Sequence, residues 1–461
     1  MKTYDAIIIG AGQSGGPLAG KLAEEGLRTA LIEKKFVGGT CINVGCTPTK
    51  TMIASGRIAH LAANSKDWGI ITSEMKVDMP AIKKRKDDIV TSFREGSEKK
   101  LLQTEGLDLI YGEATFTGFK TVTVKLNNGV SEELTADKIF IDTGAETFIP
   151  GIDGIHDVGF LTSSTILDLE IVPEHLLVIG ASYIALEFGQ LYRRLGSNVT
   201  ILEQGPQFLK REDEDIAEAL KKILEEDGIT IHLNGIVKKL RKTSGEGVEA
   251  ILEVNGVEQN ITCSHVLLAV GRTPQTEALN LAKTGVATGK HGAIEVNDKL
   301  ETNVAGIYAM GDVKGGPAFT HISYNDYVIV YQNLFQQANL TIKNRLVPYC
   351  VFTDPQLARV GITEKEASDK GMAFIVAKLS MSSVARAIET NETRGFIKAI
   401  VDKTTKKILG VAVLGVEGGE IMSVLQMAMM GGVTYDQLKY AVFAHPTYSE
   451  SLNNLFMQIK D

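Results

Sequence analysis

Gly10-Ala11-Gly12-Gln13-Ser14-Gly15 is the stretch that most restricts what this chain can fold into. It follows a short apolar run, Ala6-Ile7-Ile8-Ile9, that reads as a buried parallel strand. A helical pattern opens behind it through Leu18, Ala19, Leu22 and Ala23, and a second strand, Thr29-Ala30-Leu31-Ile32, ends at Glu33. A GxGxxG alone is weak evidence. Between two strands and at the head of a helix it is the dinucleotide fingerprint. Gly10 allows the tight turn, Gly12 lets the backbone approach a pyrophosphate, and Gly15 lets helix and strand pack closely. The helix N-terminus faces the phosphates, and Glu33 is placed to accept hydrogen bonds from an adenosine ribose.

The pattern recurs in weaker form at Gly180-Ala181-Ser182-Tyr183-Ile184-Ala185, behind the strand His175–Ile179. Ser182 replaces the second glycine and Ala185 is a permitted third. The helix through Leu186, Phe188 and Leu191 and the strand Asn198–Leu202, ending at Glu203, restore the signal. Two nucleotide folds in one chain suit two dinucleotides. A chain of 461 residues is also too long for one core and suggests about three domains. The net charge of −8 argues against nucleic-acid binding as the main task. No stretch approaches the roughly 18 apolar residues of a membrane span. The N-terminal apolar run is too short for a signal peptide and leads straight into the glycine turn, so the expected location is cytoplasmic, with no membrane partner.

In that compartment a close cysteine pair is more often catalytic, redox-sensing or metal-binding than structural. Only four cysteines occur, and two of them, Cys41 and Cys46, stand in Gly38-Gly39-Thr40-Cys41-Ile42-Asn43-Val44-Gly45-Cys46-Thr47-Pro48-Thr49-Lys50. Five steps of regular helix cover about 7.5 Å of axis, whereas a disulfide needs Cα atoms within about 6.8 Å. The pair therefore bridges only across a distorted turn, and Asn43 and Gly45 tolerate one. Pro48 belongs near a helix start, and the pattern continues through Met52, Ile53, Ile58 and Leu61. A redox dithiol, half of a zinc site and a structural bridge are the readings of the pair. The zinc reading lacks a second ligand pair at suitable spacing, and no metal site is expected. Cys263 and Cys350 lie in apolar, strand-like runs and read as core residues.

The stretch GGTCINVGCTPTK resembles the redox motif of the flavin-dependent pyridine nucleotide–disulfide oxidoreductases, which include dihydrolipoyl dehydrogenase, glutathione reductase and mercuric reductase. The resemblance covers essentially the whole chain. It implies an α/β fold with two Rossmann-like domains, for FAD and NAD(P), and a C-terminal α+β dimerisation domain. The expected boundaries are 1–147 and 271–340 for the FAD-binding domain, 148–270 for the NAD(P)-binding domain and 341–461 for dimerisation. By the same resemblance Cys41 is the interchange thiol and Cys46 the flavin-proximal thiol. Lys50 pairs with Glu187 beside the flavin. Thr40, Ala114, Thr143, Gly144, Gly311 and Asp312 join Gly10, Gly12, Gly15 and Glu33 around FAD. Gly180, Ser182, Tyr183, Glu203 and Gly271 serve NAD(P). Asp142 departs from the family, whose ATG segment carries alanine there.

Glu203 ends the strand where an acid binds a ribose 2′-hydroxyl and repels a 2′-phosphate, which favours NAD(H) over NADP(H), although Lys210 and Arg211 follow it. Near the end, Ala444-His445-Pro446-Thr447-Tyr448-Ser449-Glu450 resembles the family's acid–base motif. It implies that His445, supported by Glu450, completes the active site of the other subunit, and hence a homodimer. The implied activity passes electrons from NAD(P)H through FAD and the Cys41–Cys46 disulfide to a small-molecule or lipoyl disulfide. A thiophilic metal ion is the alternative acceptor, as in mercuric reductase, although no cysteine follows Cys350. A non-catalytic complex subunit is the alternative of another class.

Overall fold

The computed structural model describes residues 1–73, 75–245 and 247–460. Its first sheet is parallel at its centre. The strand Lys2–Ile9 lies between Thr29–Glu33 and Ser131–Ile141, with Leu107–Gly118 beyond the former and Ile307–Ala309 beyond the latter. Ala6–Ile9 and Thr29–Glu33, at its centre, are buried along their whole length, as parallel strands covered on both faces are. Thr121–Leu126 pairs antiparallel with Leu107–Gly118 and with Ser131–Ile141, so the sheet extends into a β-meander. The strand at 307–309 returns from far along the chain and closes the sheet beside Ser131–Ile141.

Between these two visits the chain builds a second parallel sheet from His175–Ile179, Asn198–Leu202, Ile229–His232 and His265–Leu268. An antiparallel three-stranded layer, Gly235–Lys242, Val248–Val254 and Val257–Cys263, leans on it. The short pair Ala145–Thr147 and Arg272–Pro274 joins exit to re-entry. A five-stranded antiparallel sheet then spans Tyr349 to Gly415, covered by the helix Gly418–Met430 and others.

One apolar cluster runs through all three parts. Met52 of the redox helix, Leu186 and Leu191 of the second nucleotide unit, and Val351, Leu357 and Phe396 of the C-terminal sheet belong to it, and Met52, Leu186 and Leu357 are completely buried. Charges seal the same junction. Arg359, 3% exposed, donates to Glu212 at 2.7 Å and Asp213 at 3.3 Å. The helix that begins at Cys46 is therefore packed through Met52 against all three parts. The charged run Ile82–Ile89 is largely a solvated helix face, but Lys86 is buried and pairs with Asp87 at 2.5 Å and Asp168 at 3.5 Å. Among the described residues no helix is long and apolar enough to cross a membrane.

Candidate active site

The two cysteines sit on two helices. Gly39–Val44 ends at Gly45, whose φ of −132° and ψ of −115° break the helix, and Cys46–Ala63 begins immediately after it. Gly45 is required sterically, since a Cβ there would lie 2.8 Å from the Thr40 carbonyl oxygen. Asn43 contributes differently from the expectation. It stays within the helix, and its Nδ2 donates to the carbonyls of Val37 and Gly39, both at 2.9 Å, pinning the loop that leads in. Pro48 lies in the first turn of the second helix, where its missing N–H leaves no hydrogen bond broken.

The thiols are electrostatically unlike. A hydrogen bond from Cys41 is the main cause that lowers Cys46 to about 6, and Thr320 and the Lys50 charge act in the same direction against burial. Cys41 moves the other way, because its hydrogen bond to Cys46 and its burial favour the protonated form. One proton shared across the pair leaves Cys46 as the thiolate. Thr320 Oγ1 lies 3.3 Å from Cys46 Sγ, at the start of the helix Thr320–Phe335. Thr320 has no signature in the sequence, because a single threonine 274 positions away carries no local pattern.

Lys50 Nζ is 2.7 Å from Glu187 Oε2. Glu187 is 3% exposed, and its other oxygen accepts the Phe352 N–H at 2.9 Å. Lys50 also stands 4.8 Å from the centre of the Phe352 ring. One carboxylate therefore joins the redox helix, the second nucleotide unit and the C-terminal sheet. Tyr183 begins the next helix, tilted against Phe319 at 6.0 Å, and burial raises its hydroxyl to about 12. His321 stacks on Phe319 at 5.4 Å and is anchored by the Pro348 carbonyl at 2.7 Å.

The nucleotide turns are built alike. Glu33 accepts the N–H groups of Ala11 at 2.9 Å and Lys35 at 2.8 Å. Glu203 accepts those of Ala181 at 3.1 Å and Gly205 at 2.8 Å. In both units a carboxylate at the strand tip is fixed by two backbone donors, with lone pairs left for a ribose. Ser182 Oγ donates to the Ala269 carbonyl at 3.1 Å, so the residue that replaces glycine is used to tie the turn to the neighbouring strand. Around the first turn the side chains fit a flavin dinucleotide. Gly144 (φ +71°) and Gly271 (φ +140°) border open space, with no atom within 4 Å of a Cβ placed there. Asn43 Oδ1 and Arg272 Nε are buried polar atoms with no hydrogen-bond partner among the described residues. Thr143 Oγ1 donates to the Gln275 carbonyl at 2.7 Å, Asp312 lies 3.9 Å from Arg272 Nε, and Gly311 donates to Asp326 at 2.9 Å. Ala114 is buried in the meander core and Thr40 is exposed beside the cysteines.

The profile described as pyridine nucleotide-disulphide oxidoreductase matches residues 4–326, and that of the family's dimerisation domain matches 347–456. The chain belongs to the pyridine nucleotide-disulphide oxidoreductases. Within this family of flavin enzymes it is 37% identical to the mercuric reductase of Staphylococcus aureus, over 97% of this chain and 81% of that one. It is 38% identical to the probable pyridine nucleotide-disulfide oxidoreductase RclA of Escherichia coli K12, over the full length of both. The Cu(II) complex of the HOCl-induced flavoprotein disulfide reductase RclA superposes with a TM-score of 0.92 at 37% identity, covering both chains completely. Members use FAD and a pyridine nucleotide, and a dimerisation domain is present here.

His445 is engaged by Glu450 rather than by the cysteines. Its Nδ1 is 2.8 Å from Glu450 Oε2, its side chain is 67% exposed, and among the described residues no hydrogen bond joins it to either thiol of the same chain. No group of three or more His, Cys, Asp or Glu side chains among the described residues is arranged to hold a metal ion.

Proposed function

We propose that the protein is an NADH-dependent disulfide oxidoreductase working through Cys41 and Cys46, with FAD between nucleotide and dithiol. The observation that carries this reading is the unlike thiol pair, with Cys46 lowered to about 6 and Cys41 raised. In this reading residues 1–147 and 271–340 form the FAD-binding domain, 148–270 the NAD(P)-binding domain and 341–461 the dimerisation domain. Gly10, Gly12, Gly15, Glu33, Thr40, Ala114, Thr143, Gly144, Gly311 and Asp312 hold FAD. Gly180, Ser182, Tyr183, Glu203 and Gly271 hold the nicotinamide nucleotide. FAD would supply the hydride acceptor for the nicotinamide that the side chains lack.

The protein's own chemistry is proton handling and thiol exchange. Lys50, held in place by its ion pair with Glu187, sets a positive charge beside Cys46 and stabilises its thiolate. Cys41 gives its proton to a base and attacks one sulfur of the acceptor disulfide. The leaving thiolate takes that proton, and the Cys46 thiolate then attacks the Cys41 sulfur, so the Cys41–Cys46 disulfide, one acceptor thiol and one acceptor thiolate, which takes its proton from solvent, result. His445 of the partner subunit, oriented by Glu450 of the partner subunit, is the base and then the acid. Its exposure and the lack of any hydrogen bond to its own chain's thiols among the described residues support a role across a homodimer.

A second reading has independent support. The relatives named mercuric reductase and the Cu(II) complex of RclA favour a thiophilic metal ion as substrate, presented to the same two thiols. Steady-state turnover with NADH and NADPH against lipoamide, glutathione disulfide, Hg(II), Cu(II) and a quinone separates the readings. Disulfide turnover above metal turnover, lost in Cys46→Ser, is expected. Disulfide turnover that survives Cys46→Ser refutes the dithiol route, and turnover confined to metal ions selects the second reading.

A further inference from the structure

Asp142 is the residue that departs from the family's alanine, and it occupies the centre of the first nucleotide turn. Its Oδ2 accepts the Gly15 N–H at 2.7 Å. Its carboxyl oxygens lie 2.7 Å from where a Cβ on Gly12 would stand, and likewise 2.7 Å from one on Gly311. The carboxyl therefore touches both glycine turns of the flavin cradle.

The second nucleotide unit contains the matching control. Asp142 N–H donates to the Ile9 carbonyl at 2.8 Å, and Ala269 N–H donates to the Ile179 carbonyl at 2.8 Å. A Cβ on Gly10 would meet Asp142 O at 2.2 Å, and one on Gly180 would meet Ala269 O at 2.6 Å. The same backbone position closes with a methyl group in one unit, so the fold does not require a carboxyl in the other.

No cation contacts this carboxyl among the described residues. Lys314 and Arg345 are engaged by Asp326, at 3.2 Å and 2.7 Å, and Arg272 leans on Asp312. Burial first, then the charges of Asp312 and Asp326, push Asp142 well above the usual carboxylate range, against the opposing N–H groups of Gly15 and Ser14. A protonated carboxyl there accepts from Gly15 and keeps one proton to donate.

We propose that Asp142 is a binding residue for the cofactor's diphosphate, donating a hydrogen bond as a neutral acid and weakening flavin retention when it ionises. The inference rests on the reading that this turn takes FAD. The direction follows from charge. An ionised Asp142 beside a diphosphate is repulsive, so bound cofactor holds the proton on more tightly. Affinity is constant while the free protein's carboxyl is neutral and falls, by up to about tenfold per pH unit, as pH rises through its ionisation.

The test is the FAD dissociation constant of the holoenzyme from about pH 6 to about pH 10, read from the fluorescence of released FAD, for wild type, Asp142→Asn and Asp142→Ala. Wild type is expected to lose affinity at the alkaline end by tenfold or more. Asp142→Asn keeps a donor and should show no such loss. Asp142→Ala, the residue of the second unit, should be equally flat and weaker than Asp142→Asn. A wild-type profile that is flat, or as steep as that of either variant, overturns the proposal. FAD binding to none of the three proteins overturns the cofactor reading and the proposal with it.

Discussion

Thr320 places its hydroxyl 3.3 Å from the sulfur of Cys46, joining the first turn of one helix to the first residue of another. A hydroxyl that donates to a thiolate favours the charged form, and it does so where the helix N-terminus has the same sign of effect.

Replacing Thr320 with valine removes that donor and keeps the shape. Hydrogen bonds to charged groups contribute about 1.5–3 kcal/mol, so Cys46 should rise from about 6 by roughly one to two units. Thiolate absorbance against pH in the reduced protein measures this. Thr320→Ser should restore the wild-type value, and an unmoved titration in Thr320→Val means that the hydroxyl does not reach the thiolate.

His445→Gln should lower turnover of disulfide acceptors by about 10²–10⁴-fold while leaving flavin reduction by NADH intact. Stopped-flow separates the two half-reactions. Mixed dimers of His445→Gln and Cys41→Ser chains should regain up to about half of the wild-type sites per dimer, since one composite site is whole. Mixed dimers as inactive as their parents would place the histidine within its own chain's site.

Glu203 offers its carboxylate to a ribose while held by two N–H groups. Glu203→Ala should reduce the preference for NADH over NADPH by roughly tenfold, about 1.4 kcal/mol. The ratio of kcat/KM values for the two nucleotides reads this directly, and an unchanged ratio would remove Glu203 from nucleotide choice.

Arg57 of the redox helix reaches Asp354 and Glu392 of the C-terminal domain, while Arg194 reaches Asp354 at 2.6 Å. Burial works against ionisation of Asp354, but Arg194 and Arg57 outweigh it and hold the carboxyl below its usual range. A depressed folded-state value gives stability that is present above the unfolded value, about 3.9, and lost as pH falls through the folded one. Arg57→Gln should therefore lower the unfolding temperature near neutral pH and lose less on further acidification than wild type. Calorimetry at both ends of that range decides it.

The sequence by itself determined the parts whose signals are local. Both glycine turns, the acids Glu33 and Glu203, the CxxxxC stretch and the HPTxSE motif lie in unbroken segments with spacing imposed by backbone geometry. The α/β class and the family follow from them. Tertiary structure decided what depends on residues far apart. Thr320 at Cys46, the Phe352 N–H on Glu187 and the burial of Asp142 between Gly12, Gly15 and Gly311 arise because the chain leaves the first sheet, builds another, and returns. Long-range packing sets which donor meets which acceptor and how much water surrounds each charge. No periodicity along the chain encodes that, so the chemical state of Cys46 and Asp142 is readable only in the fold.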